Sequence, residues 1–336
     1  MILQFKPGTS DEVLLKVEQR LATEGVRSVR SSETHRPILA AVDTASPTLL
    51  QEIFNATDEL EQMVTPEGPW KQVDRSFRAQ PTVVEIGDMK IGEGHPCAII
   101  GGPCSVEGRA PVLEVAKEVQ AAGAHMLRGG AFKPRTSPYA FQGYGVEGLR
   151  QLKDAGEAVG LPVVSEIMDA SHLPSFLDVN IDCLQIGARN MQNFTLLKAV
   201  GQAGIPVLLK RGLSATVKEW LLAAEYLMAG GCDQVMLCER GIRTFETATR
   251  NTLDLTVLPL LRQWTHLPIV VDPAHAAGIA NIIPTLARAS VAAGADGITV
   301  EVHLDPKRAR SDGPQALSPG DLKRIVAEAR IISALF

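Results

Sequence analysis

From residue 97 onward one hydropathy pattern repeats. An apolar run of four to seven residues gives way to a polar loop, and the loop to a stretch with helical spacing. The runs are CAIIGG, HMLRGG, PVVSEI, CLQIGA, PVLLKR, QVMLCE, PIVVDP and GITVEV, eight in all. Near-continuous apolar strands alternating with amphipathic helices predict a parallel sheet covered by helices. The helices expected between the runs include 110–122, 145–159, 194–203, 216–229, 253–264 and 282–293. Thr216 and Glu219 have the spacing of a capping box. Gly123, Gly160, Gly204 and Gly294 stand where a left-handed C-cap would end a helix before the next strand. Eight such units in some 240 residues match a (β/α)8 TIM barrel in number and length. An open doubly wound sheet is the weaker choice, since no G-x-G-x-x-G follows the first run.

The first 66 residues read differently. Ile2 to Lys6 is strand-like and closes at Pro7-Gly8. Ser10 then precedes a helix whose apolar positions are Val13, Leu14, Val17 and Leu21. Residues 26–31 and 37–42 suggest two strands around a polar turn. Ser46-Pro47 opens a second helix and 60–64 a last strand. This β-α-β-β-α-β order predicts a small α+β, ferredoxin-like domain over 1–66. An all-helical accessory domain does not fit it. Residues 67–82, polar and holding two prolines, read as a linker, with the barrel over 83–336. Gly87-Asp88 marks a tight hairpin, expected to plug the bottom of the barrel.

Composition narrows the function. A net charge of −5 argues against a nucleic-acid binder. No apolar run reaches membrane-spanning length, and the N-terminal residues lack the pattern of a secretory signal. Five cysteines, an odd number in a chain of 336 residues, suggest a reducing cytoplasm rather than a disulfide framework.

In a TIM barrel the chemistry gathers at the C-terminal ends of the strands. Six cations fall there: Arg128, Lys133, Arg135, Arg189, Lys210 and Arg240. So many like charges in one cleft are costly unless an anion binds, and they suit more than one phosphate, or phosphate plus carboxylate. Cys104, His275, Glu301 and Asp312 fall at three strand ends and an adjacent loop. A thiol, an imidazole and two carboxylates form a mixed donor set for a divalent metal. Taken singly, each of these residues also has a structural reading, as core cysteine, hydrogen-bonded histidine or ion-pair partner of Lys210 or Arg240. No compact metal signature is present.

At this level of detail the chain resembles the 3-deoxy-D-arabino-heptulosonate 7-phosphate synthases, in the class I beta form with an N-terminal ferredoxin-like regulatory domain. The resemblance lies in GGPCSVEGR at 101–109, LRGGAFKPRTSPYAFQG at 127–143, LQIGARNMQNF at 184–194 and VLLKRG at 207–212. It continues in CERGIRTFETATRNTLD at 238–254, VDPAHA at 271–276 and VEVHLDP at 300–306, and it extends over 1–66. Gly101 stands where the family more often has Ala, and Ala274 where it often has Ser. Neither change removes a ligand or a charge.

The resemblance implies a condensation of phosphoenolpyruvate with erythrose 4-phosphate, the first step of the shikimate pathway. Arg128, Lys133, Ala188, Arg189, Lys210 and Arg240 would hold phosphoenolpyruvate. Pro134, Arg135, Thr136 and Asp312 would hold the sugar phosphate. Cys104, His275, Glu301 and Asp312 would bind Mn²⁺, with Fe, Zn, Co or Cd able to substitute. Lys133 would act as general acid, and Glu166 is the candidate for activating water. Tyrosine or phenylalanine would inhibit by binding at contacts between the small domains of a homotetramer. The nearest rival, 3-deoxy-D-manno-octulosonate 8-phosphate synthase, has a sugar loop resembling Lys-Ala-Asn-Arg-Ser, unlike Lys133-Pro134-Arg135-Thr136 here. A non-catalytic amino-acid sensor should have lost ligands or cations, and all are kept.

Overall fold

The structure, a computed structural model, describes residues 1–32, 37–135 and 137–335, and of 33–36 only Arg36. It divides into two compact units, one of residues 1–82 with 260–266, the other of 83–259 with 267–336.

The small unit holds β1 (Ile2–Phe5), α1 (Asp11–Thr23), β2 (Ser28–Arg30), β3 (Ile38–Ala41), α2 (Pro47–Ala56) and β4 (Leu60–Val64). Its sheet has the order β2-β3-β1-β4, antiparallel throughout. The two-residue period of the strands sorts its faces. Leu3, Phe5, Leu39 and Ala41 pack with Leu14, Val17 and Leu21 of α1 and Leu49, Leu50 and Ile53 of α2. Ile2, Ile38 and Ala40 point the other way, onto Phe77. Ser46 caps α2 by accepting from the Leu49 N–H, whereas the Ser10 side chain makes no such bond to α1.

The stretch 67–82, read from its polarity as a linker, folds with this unit. Trp70, Val73 and Phe77 sit among its polar residues and are buried. Thr82 meets Nδ1 of His266 at 2.7 Å, and Nε2 of His266 lies 2.7 Å from the Gln72 carbonyl.

In the large unit β5 (Val84–Ile86) and β6 (Met89–Ile91) form the expected hairpin across Gly87-Asp88. Eight parallel strands follow: β7 (Ala98–Gly102), β8 (Met126–Arg128), β9 (Val163–Ile167), β10 (Cys183–Ile186), β11 (Val207–Lys210), β12 (Val235–Glu239), β13 (Ile269–Val271) and β14 (Gly297–Glu301). They close on themselves, β14 pairing with β7. The helices of this unit begin with α3 (Arg109–Ala121), α4 (Gly145–Val159), α5 (Leu173–Asp178), α6 (Phe194–Gly201) and α7 (Val217–Ala229). They end with α9 (Pro273–Ala277), α10 (Ile283–Ala292) and α11 (Pro319–Ser333), while α8 (Val257–Trp264) starts in this unit and has residues 260–264 in the small one. This is the (β/α)8 architecture expected from the eight runs.

The hairpin's Val84, Ile86, Met89 and Ile91 pack with Ala98, Met126, Cys183 and Met236, the first or second residues of their strands. The barrel floor is therefore closed. One expected helix starts late: residues 253–256 stay outside α8, which begins at Val257. The Asp254 carboxylate explains this, since it accepts from Thr256 Oγ1, from the Val257 N–H and from Arg211.

Candidate active site

The strand ends open into one polar cavity. Its walls include Arg128, Lys133, Arg135, Arg189, Lys210 and Arg240, all six cations expected there, with Pro134, Ala188, Glu166, His275 and Asp312. Thr136 lies outside the described residues. Arg243 and Arg250 join the wall and were not singled out from sequence. Both sit in CERGIRTFETATRNTLD, where the density of arginine was the available signal. The structure brings them in because Ile242 bridges Thr252 and the Glu239 carboxylate accepts from the Gly241 and Asp254 N–H groups, folding the loop back.

The cations differ in how they are held. Arg128 is buried and donates to Glu301 Oε1 at 2.6 Å. Burial alone would lower its pKa, but the Glu301 charge prevails and raises it. Glu301 thus pairs with Arg128, and not with Lys210 or Arg240 as its structural reading has it. Lys210 is buried and bonded to Asp272. Arg240 is 4% exposed and among the described residues has no carboxylate partner, its guanidinium reaching only the Gly241 carbonyl at 3.5 Å. Burial lowers its pKa below the ordinary arginine value. The Asp272 charge offsets this burial only in part, so an anion bound against the guanidinium would complete it.

At one side of the cavity the thiol of Cys104, Glu301 and Asp312 offer donor atoms that all lie within 4.8 Å of one another. The Cys104 thiol donates to Asp312 Oδ2 at 3.0 Å, and Lys133 Nζ donates to Cys104 Sγ at 3.1 Å and to the Cys104 carbonyl at 2.9 Å. His275, the fourth expected ligand, stands outside this tight group but next to it, with Nε2 3.5 Å from Glu301 Oε1. Its Nδ1 is 2.8 Å from Asp272 Oδ2, off the straight line of an ideal hydrogen bond. Burial lowers the His275 pKa, against the pull of Asp272 and Glu301. In the tautomer that carries its proton on Nδ1, toward Asp272, the Nε2 lone pair faces a carboxylate oxygen. Two acceptors so placed call for a cation between them.

The other pKa shifts agree with a site shaped for charge. Glu301 is held at about 2: burial opposes this, but the His275 and Arg128 charges pull it down. Burial, and then the charge of Glu301, push the Cys104 thiol up to about 12. A divalent ion would have to displace that proton to bind the thiolate. The donor chemistry therefore fits the expected ion.

Asp312 has φ 50°, ψ 31°, a left-handed conformation that Asp tolerates better than most residues. It turns the carboxylate toward Cys104 while Arg250 Nη1 donates to Oδ1 at 3.2 Å. Gln315 is buried behind it, donating to Glu301 Oε2 at 2.5 Å and accepting from Arg250 Nη1 at 2.9 Å. Sequence reasoning missed Gln315 and the orienting role of Asp272. Glu166, next to last in β9, faces Gly187; a Cβ there would lie 1.8 Å from Glu166 Oε1, so only glycine leaves room for this carboxylate. Among the described residues Glu166 has no ion-pair partner.

A closed eight-stranded barrel with an anion-binding cleft beside a cation-binding donor set defines a class of barrel enzyme that handles phosphorylated substrates. Residues 71–331 match the DAHP synthetase I family. The chain belongs to that family and is an enzyme of it. It is 44% identical over 330 residues to a phospho-2-dehydro-3-deoxyheptonate aldolase of Thermotoga maritima, spanning 98% of this chain and 97% of the relative. A 2-dehydro-3-deoxyphosphooctonate aldolase of Syntrophotalea carbinolica is 33% identical, over 76% of this chain and 97% of its own. The crystal structure of phospho-2-dehydro-3-deoxyheptonate aldolase (DAHP synthase) from Thermotoga maritima superposes with a TM-score of 0.78 at 42% identity, covering 99% of this chain and 97% of that one. A truncated form of the Thermotoga maritima synthase gives 0.74 at 46% identity, over 80% of this chain and 98% of its own.

Proposed function

We propose that this enzyme joins phosphoenolpyruvate to D-erythrose 4-phosphate, giving 3-deoxy-D-arabino-heptulosonate 7-phosphate and phosphate, and that it needs a divalent metal. The observation that carries the reading is the cavity: eight cationic side chains and two carboxylates among its described walls, beside an acceptor-rich donor set.

Arg128, Lys133, Lys210, Arg240 and Arg189, with the Ala188 backbone, would hold the phosphate and carboxylate of phosphoenolpyruvate. Pro134, Arg135 and Thr136, with Asp312, would hold the sugar phosphate. Cys104, His275, Glu301 and Asp312 would hold the metal, whose contribution when bound is Lewis-acid polarisation of the aldehyde. Carbon 3 of phosphoenolpyruvate attacks the aldehyde carbon, and the new alkoxide takes a proton from Lys133 Nζ. Lys133 is 8% exposed, and its ammonium already bonds to Cys104, so it is fixed at the edge of the donor set. Water adds to the electron-poor carbon 2, with Glu166 as the base that takes its proton. The hemiketal then breaks its carbon–oxygen bond and phosphate departs. The fixed cations stabilise charge and align both substrates before reaction.

The test is phosphate release with erythrose 4-phosphate and with arabinose 5-phosphate, each before and after chelation. Turnover with the four-carbon sugar, lost to chelator and restored by Mn²⁺, is the expected result. Preference for the five-carbon sugar would overturn the substrate, and chelator-insensitive turnover the metal.

We read residues 1–66 as a ferredoxin-like regulatory domain of a cytoplasmic homotetramer, inhibited by tyrosine or phenylalanine. The element order and the antiparallel β2-β3-β1-β4 sheet support it. Full-length enzyme indifferent to both amino acids would sink this part.

A further inference from the structure

We propose that Arg310 is a positioning residue for the sugar-phosphate loop, clasping its return arm, residues 137–144, to the segment that carries Asp312. The loop follows β8 and the segment follows β14, two strands that do not pair because β7 lies between them. Arg310 spans that gap.

The loop is a small hairpin. Phe132 bridges Gly143, and the Lys133 N–H donates to the Gln142 carbonyl at 3.0 Å. Gly143 has φ +92° and no space for a Cβ, which would lie 2.0 Å from the Ala131 carbonyl oxygen. The outgoing arm lines the cavity with Lys133, Pro134 and Arg135. The return arm carries Phe141 and Tyr144, set edge to face with centroids 5.3 Å apart. The arms are joined where Arg135 Nε donates to the Phe141 carbonyl at 3.0 Å.

The Arg310 guanidinium sits in the corner of those two rings. Its carbon is 3.7 Å from the Phe141 centroid and 5.9 Å from that of Tyr144, and Nη1 lies 3.2 Å from Tyr144 Oη. Among the described residues it has no carboxylate partner, so its charge is spent on the aromatic faces. Its backbone is fixed in turn. The Arg310 N–H donates to Glu107 Oε1 at 2.7 Å, and Ser311 meets Ser105 at 2.8 Å. Asp312 follows directly. One contiguous chain of contacts thus runs from Arg135, through Phe141 and Arg310, to a carboxylate of the donor set. Arg310 itself lies outside the cavity walls.

The kinetic arm of the test rests on the proposed reaction; the second arm does not. In full-length Arg310→Ala, the KM for erythrose 4-phosphate should rise about two- to fivefold, the range expected for a lost cation–π contact at an exposed residue, while that for phosphoenolpyruvate stays unchanged. Arg310→Lys keeps charge but not the flat stacking surface and should recover only part of the loss. Phe141→Leu should copy the alanine variant, and the double variant should be no worse than either single one. Independently of turnover, amide hydrogen exchange over 137–144 should quicken in Arg310→Ala without substrate. Unchanged exchange overturns the clasp. Unchanged KM for the sugar, or both KM values rising together, overturns the positioning role. If the wild-type protein releases no phosphate from these substrates, the proposed reaction fails and exchange alone decides whether the clasp exists.

Discussion

Arg240 is the residue on which the anion argument bears most directly. It is buried, it makes no direct carboxylate contact among the described residues, and it faces the cavity. Arg240→Ala should remove hydrogen bonds to a charged group, each about 1.5–3 kcal/mol, so kcat/KM should fall about ten- to hundredfold in a phosphate-release assay. Stability to urea should hold or improve, since the cost of burying this charge outweighs the pull of Asp272. Gly187 tests Glu166 from behind. In Gly187→Ala the new methyl displaces the end of a flexible side chain rather than backbone. Turnover should drop while unfolding free energy changes by only about 1 kcal/mol. Turnover equal to wild type would remove Glu166 from the reaction.

The residue scale also marks what the sequence could not convey. The six expected cations could be named because each ends a strand or begins its loop, and barrel geometry sends such positions to one mouth. Arg243 and Arg250 come from the middle of a loop, and only its doubling back at Ile242 and Thr252 brings them in. The Arg128–Glu301 pairing was equally hidden. Both residues are strand ends, on β8 and β14, and nothing in their spacing says which cation meets which carboxylate.

At the scale of elements, periodicity and end signals carried most of the fold. α4 occupies 145–159 as its pattern required, and Gly160 takes the left-handed conformation, φ 71°, that ends it. α8 began late because a carboxylate three residues ahead of its start, Asp254, binds Arg211 and Thr256 as well as the helix's first N–H. Tertiary partners of that kind leave no local trace. Residues 67–82 show the same limit, since three buried apolar side chains among polar ones look like a linker until their neighbours are known. The capping box of α7 is the clean local case. Thr216 accepts from the Glu219 N–H at 3.2 Å and Glu219 Oε2 accepts from the Thr216 N–H at 2.8 Å. Thr216→Ala should cost about 1 kcal/mol in urea unfolding with kcat unchanged, because Thr216 is exposed and not among the cavity walls.

For the molecule as a whole, His266 links stability to pH. Burial holds its pKa at about 3, against an ordinary value of 6.5. Below pH 6.5 the unfolded chain binds a proton that the folded one refuses. Stability should therefore fall as the pH drops from 6.5 toward 3, by about 1.4 kcal/mol per pH unit, and this group should contribute no slope above 6.5. Trp70 and Trp264 belong to the same unit and report its unfolding by fluorescence. In urea titrations, His266→Gln should lose this part of the slope relative to wild type; an equal slope in both would show that the ring is not kept neutral.

The hairpin beneath the barrel has a consequence for traffic. A vessel sealed at its base has a single doorway, through which everything arrives and leaves. Arg128, Lys210 and Arg240 are at most 6% exposed, while Arg189 stands exposed. Under the proposed chemistry both reactants would enter through that mouth, and the groups held by Arg128, Lys210 and Arg240 would lie deepest.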